Sequence, residues 1–132
     1  MKLLARSLIG TALNWAVAKA RYTLHYNEML NGHMMHSWWI SGVLPKYPNV
    51  WVPLNQFKPS EDWNQGGPII ESAFPKLELG FCDPTDKDKW YAECNTLSCN
   101  QFMEGRTALI AAMRCYVAIT LGDEVEMPEK LK

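Results

Sequence analysis

"KLELGFCDPTDKDKWYAEC", residues Lys76 to Cys94, is the stretch on which the fold turns. Leu77, Leu79 and Phe81 alternate with Lys76, Glu78 and Gly80, the period-two pattern of a strand with one buried face. Trp90, Ala92 and Cys94 alternate against Tyr91 and Glu93 in the same way. The polar run between them, Cys82 to Asp88, carries turn chemistry. With a further candidate strand at Ile69 to Phe74, these segments predict a small antiparallel meander.

A helix is expected on either side. In "RTALIAAMRCYVAITLGDE" the residues Leu109, Ile110, Met113, Tyr116, Val117 and Leu121 recur at helical spacing, with Thr107 as cap and Gly122 as terminator. Near the N-terminus, Leu8, Ile9, Ala12, Leu13, Ala16, Val17 and Ala20 share one face of a helix running from about Ser7, its cap, to about Arg21. Both amphipathic helices can bury their apolar faces against one side of the meander. The expectation is an α+β fold in a single domain, residues 1–132.

Between them, residues 22–57 are rich in aromatics, Met, His and Pro. Pro45, Pro48 and Pro53 argue against a long regular element in the second half, so short helical and extended pieces are expected, with Val50 to Val52 a strand. "KPSED", Lys58 to Asp62, reads as a turn.

The net charge of −1, from 13 basic and 14 acidic side chains, supplies no surplus to neutralise phosphates along a duplex, which argues against a nucleic-acid partner. The first twenty residues imitate a signal peptide, with Lys2 ahead of an apolar middle and Ala18-Lys19-Ala20 in a small-x-small form. Arg6, Asn14 and Trp15 interrupt that middle and the helical periodicity replaces it. No stretch approaches the roughly 20 apolar residues of a membrane span. A cytoplasmic protein without a membrane partner is expected.

Cys82, Cys94, Cys99 and Cys115 form no C-x-x-C pair and read as reduced, partly buried thiols. His33 and His36 would share a face if helical, but a zinc site needs three or four ligands and the spacing matches no zinc pattern. No metal, no cofactor and no catalytic residue is assigned. Asp123, Glu124, Glu126 and Glu129 read as a solvated acidic tail.

The stretch "DWNQGGPIIE", Asp62 to Glu71, admits two readings. As a ligand loop, Trp63 offers a flat face, Asn64 and Gln65 offer amides, and Gly66-Gly67 free the backbone to present N–H groups to an anion. Arg106 or Arg114 could meet a phosphate. As plain structure, the glycines make a turn and Pro68 opens a strand at Ile69. The plain reading carries more weight.

The segments "LNWAVAKA", "DWNQGGPIIE", "WYAE" and "TALIAAMRCYVAITLGDEVEMPE" together resemble the NinX-like family of tailed-phage and prophage proteins, catalogued as a domain of unknown function. The likeness covers the first twenty-odd residues and nearly all that follow Ser60. Residues 22–57 depart from the pattern. The resemblance implies a small phage accessory protein, cytoplasmic in the infected or lysogenic bacterium, with no established activity or cofactor.

The expected function is non-catalytic: binding a host protein, or capturing a nucleotide-like signalling ligand used in defence. For the first, Trp38, Trp39 and Trp51 are the candidate contacts. For the second, the candidates are Trp63, Asn64, Gln65, Gly66, Gly67, Arg106 and Arg114. The alternatives are a small hydrolase or nuclease, for which the sequence nominates no constellation, and an interaction protein with no ligand. A homodimer would cover an exposed sheet or aromatic patch.

Overall fold

In the computed structural model the described residues are 1–73, 77–83, 86–95, 100–129 and 131. Among them are three helices, α1 (Gly10–Arg21), α2 (Trp63–Ala73) and α3 (Ala108–Leu121). Eight strands form three antiparallel sheets. β1 (Lys2–Leu4) pairs with β8 (Glu124–Glu126), β2 (Thr23–Leu30) and β3 (His33–Ser41) are followed by β4 (Trp51–Pro53), and β5 (Leu77–Asp83), β6 (Asp86–Asn95) and β7 (Asn100–Gly105) form the meander. The architecture is α+β.

Helix α3 is the axis of the core. Residues Ala108 to Met113 and Cys115 to Ala118 are buried, because β6 and β7 cover one side while α1 and α2 pack on others. Its ends are as the sequence reads them. Thr107 Oγ1 accepts from the Ile110 N–H at 3.1 Å, and Gly122 terminates the helix at φ 99°, a left-handed conformation suited to glycine. The N-terminal helix packs on α3 and on β2, rather than on the meander.

That helix starts at Gly10 and not at Ser7. Ser7 Oγ donates to the Leu4 carbonyl inside a 3-10 turn, Ala5–Ser7, and is spent there instead of capping. The acidic run after Gly122 is likewise more than a tail: Glu124 and Glu126 point outward from β8 while Val125 is buried opposite Leu3.

Two larger expectations are overturned. Ile69 to Ala73 belongs to α2 and is no strand; Phe74 and Lys76 lie outside the described residues. Asp62 starts the helix by accepting the Gly66 N–H on its carbonyl at 2.8 Å and the Asn64 N–H on its carboxylate at 2.9 Å. Pro68 removes one i→i−4 bond, the one to Asn64, but both residues are exposed, so water can meet that carbonyl. The meander's third strand is β7. The Cys82 to Asp88 connection is shorter than expected, since β5 runs to Asp83 and β6 starts at Asp86; residues 84–85 lie outside the described residues.

Residues 22–57 hold the second surprise, a long hairpin. Asn31 (φ 51°) and Gly32 (φ 82°) make a two-residue turn with both φ positive, the geometry that suits the twist of a tight hairpin. The three prolines all follow Ser41 and leave β2 and β3 intact. The third strand lies one residue later than Val50–Val52, with Pro53 on an edge strand where its missing N–H is tolerated. Against this sheet's inner face lie Leu24, Trp38 and the fully buried Ile40.

Cys94 and Cys115 are buried; Cys99 lies outside the described residues. Cys115 donates its S–H to the Ala92 carbonyl at 3.1 Å, and burial, with the neighbouring Cys94, pushes its thiol up to about 12. Because the thiolate is the reacting species, iodoacetamide at pH 8 should leave Cys115 unmodified in the folded protein and alkylate it once the chain is denatured. Mass spectrometry of the tryptic peptide reads the difference. Equal labelling in both states would contradict the packing described.

Candidate functional site

The N-terminal ends of α1, α2 and α3 meet at one cleft of about 390 Å³, lined by Ile9 and Gly10 at the start of α1, Ser60, Glu61 and Trp63 at the start of α2, and Arg106, Thr107, Leu109 and Ile110 at the start of α3. That volume falls in the range of small-molecule sites, about 300–1,000 Å³. The opening N–H groups of a helix have no intrahelical acceptor and carry roughly half a positive charge. Asp62 occupies the start of α2 and Thr107 that of α3. At α1 the cap position holds Ile9, which has no side-chain acceptor. Gly10 follows in a left-handed conformation, φ 59°, with no atom where a Cβ would stand, so the backbone is bare there.

Trp63 stands at the cleft with 54% of its surface exposed, an indole available for stacking. Arg106 is exposed at the same rim, and Glu61 brings one opposing charge. Ser60 is buried; its N–H and hydroxyl both donate to Asn14 Oδ1, at 3.1 and 2.7 Å. The loop that forms one wall of the cleft is thereby tied to the middle of α1.

The other ligand-binding candidates lie outside the lining of this cleft. Gln65 Oε1 accepts from the Lys58 N–H at 2.7 Å, while its Nε2 donates to the Gln56 carbonyl and to Asp62. Its amide straps the preceding loop onto α2. Asn64 is exposed and does not line the cleft. The Gly66 N–H is held by the Asp62 carbonyl. Gly66 is buried because the helix passes close to Pro59 and Leu109, and Gly67 faces open space.

Arg114 lies away from this cleft. Its Nε donates to the Leu8 carbonyl at 2.7 Å and Nη1 to the Glu104 carbonyl at 2.6 Å, clamping the N-terminal segment to β7. Burial, and beyond it the like charge of Arg106, lowers the guanidinium from its ordinary value. Its direct contacts are thus structural.

The three tryptophans of the β2–β3–β4 sheet separate. Trp38 turns inward, edge-on to Trp15 at 5.6 Å. Trp39 and Trp51 belong to the opposite face, where Trp51 stacks on His25 at 3.9 Å and 8°. Trp38 and Trp39 both border a second cleft of about 380 Å³ with Thr11, Pro53 and Leu54. His33 and His36 are on β3, not on a helix. No group of three or more metal-ligating side chains occurs among the described residues.

With this geometry in view, comparison with known families is decisive. The family model described as "Bacteriophage P22, NinX" matches residues 5–120. The chain belongs to the phage P22 NinX family. Its origin is therefore bacteriophage, and the match spans both the cleft and the hairpin. No curated protein matches the chain. No helix among the described residues is long and apolar enough to cross a membrane.

Proposed function

We propose that the chain is a phage accessory protein that captures a small anionic ligand with a planar aromatic part, a nucleotide-like molecule, in the cleft between the helix N-termini. Capture in the cytoplasm of the infected bacterium would withdraw a host signalling molecule from a defence response, without turnover at this site. The observation that carries the reading is the meeting of three complementary groups in one cleft: the exposed face of Trp63, the Arg106 guanidinium and the uncapped start of α1. Stacking on an indole is worth about 1–3 kcal/mol per base, and a helix N-terminus beside arginine suits phosphate.

Native mass spectrometry of protein purified from infected cells, followed by denaturation, should release a nucleotide-sized mass; the same spectrum reads whether the protein is a homodimer. Quenching of tryptophan fluorescence by a panel of nucleoside phosphates and cyclic dinucleotides then gives affinity. Trp63→Ala and Arg106→Ala should each weaken binding by about tenfold or more. Full affinity in Trp63→Ala would remove the stacking role.

A second reading, capture of a host protein, has its own support in the hairpin. Met29 and Met34 pair directly across its tip and are largely exposed, and the face carrying Trp39 and Trp51 is turned from the core. Methionine and aromatic residues are common in interface cores. A host protein lost on Trp39→Ala and kept on Trp63→Ala would favour this reading over ligand capture.

A further inference from the structure

Away from the ligand cleft, the hairpin assembles three side chains into a hydrogen-bonded line. His25 Nδ1 lies 2.7 Å from Glu28 Oε2, and His25 Nε2 lies 2.8 Å from Ser41 Oγ. An ionised carboxylate only accepts, so in the neutral ring Nδ1 carries the proton and donates to Glu28. Nε2 then offers its lone pair to the Ser41 hydroxyl. This is the order of contacts by which a serine is activated: nucleophile to base, base to orienting carboxylate.

The sheet explains why these residues meet. Thr23 pairs with Ser41 and His25 with Trp39, so Ser41 is the diagonal neighbour of His25 on one face. Ser41 also pairs with Trp51 on the other side, and the Trp51 ring lies flat on the imidazole. Glu28 would belong to the opposite face of a regular strand, being three residues from His25. Asn27 changes that. It sits at the register shift between Tyr26 and Glu28 with φ 50°, and its Oδ1 accepts the N–H of Ser37, itself at φ 64°. The irregularity re-aims the Glu28 carboxylate onto His25, a use to which bulges are put beside active sites.

The line is reachable from solvent. The His25 side chain is 14% exposed and that of Glu28 51%. Gly42 follows Ser41 at φ 92° and presents no side chain there. Trp39 and Trp51, on the same face, supply flat apolar surface for an acyl group.

We propose that Ser41 is a nucleophile activated by His25 as general base, with Glu28 as a positioning residue, and that the site takes small activated esters of apolar acyl groups. Ser41 Oγ attacks the carbonyl carbon while its proton passes to Nε2. The bond to the alcohol oxygen breaks, and Nε2 returns that proton to the departing alkoxide, leaving the acyl group on Ser41. Water repeats the sequence, releasing the carboxylic acid and restoring the hydroxyl.

The test uses the full-length protein with a fluorophosphonate probe and with 4-nitrophenyl acetate. One phosphonyl adduct is expected, on the peptide carrying Ser41, and Ser41→Ala should take none. His25→Gln should slow both reactions by about 10²-fold or more. Glu28→Ala should slow them too, and Glu28→Gln should recover part of the rate, since its carbonyl oxygen still accepts from Nδ1–H. Near-UV circular dichroism establishes that each variant is folded. A folded wild type that takes no adduct at Ser41, or an unchanged rate in folded His25→Gln, overturns the proposal.

Discussion

Gly66→Ala should unfold at lower urea than wild type, with a loss of about 1–3 kcal/mol, whereas Gly67→Ala should gain up to about 1 kcal/mol. Both glycines lie inside α2, and helix propensity alone favours alanine at each by about 1 kcal/mol. Packing decides otherwise at the first. A Cβ on Gly66 would collide with the Pro59 carbonyl oxygen and stand 2.6 Å from Leu109 Cδ1. The leucine tip can rotate away, but the carbonyl belongs to a buried backbone segment. A Cβ on Gly67 would meet nothing within 4 Å. Denaturant midpoints at unchanged m-value measure both effects. A gain at both positions would show that α2 does not lie against Pro59 and Leu109 as described.

The same pair shows why the opening of α2 reads as a turn in the sequence. Two glycines and a proline in succession carry a summed helix penalty of roughly 5 kcal/mol on local scales, so a reading from neighbours alone goes to a turn. What restores the helix is distant in sequence: Gly66 must be small to reach Leu109 of α3, and Ile69 is buried. By contrast, α3 and the strands at Leu79 and Ala92 were legible because their apolar period is complete within each segment.

The hairpin was legible in principle. Asn31-Gly32 is a strong two-residue hairpin signal, but the flanking strands lack clean alternation. The Ser41–His25–Glu28 line was not legible at all. Its members are ordinary residue types, and their meeting depends on a register shift at Asn27 that no period announces. Of the cleft, Trp63 and Arg106 were picked out by residue type. Gln65 and Arg114 were picked out on the same grounds and are engaged in structural bonds, since a polar side chain looks the same in sequence whether its partner is a ligand or a carbonyl.

Asn14→Ala should be among the most damaging single changes, costing about 3 kcal/mol, though it removes only an amide. Asn14 is a buried polar side chain in the middle of α1, and its Oδ1 satisfies both the N–H and the hydroxyl of Ser60, also buried. Truncation leaves two donors inside the protein with no acceptor, each worth about 1–3 kcal/mol. Ser60→Ala should cost only about 1 kcal/mol, because it deletes one donor and keeps the N–H bond to Asn14. The double variant should therefore be less damaged than the sum of the two, with a coupling of at least about 0.5 kcal/mol. Pro59, next to Ser60, supplies the carbonyl against which Gly66 packs, and Ser60 and Glu61 form one wall of the ligand cleft. Loosening this loop should thus weaken the proposed nucleotide capture in Asn14→Ala even where the protein remains folded. If Asn14→Ala and Ser60→Ala proved equally mild and strictly additive, Asn14 would not be the anchor of this loop, and the cleft would owe its shape to α2 alone.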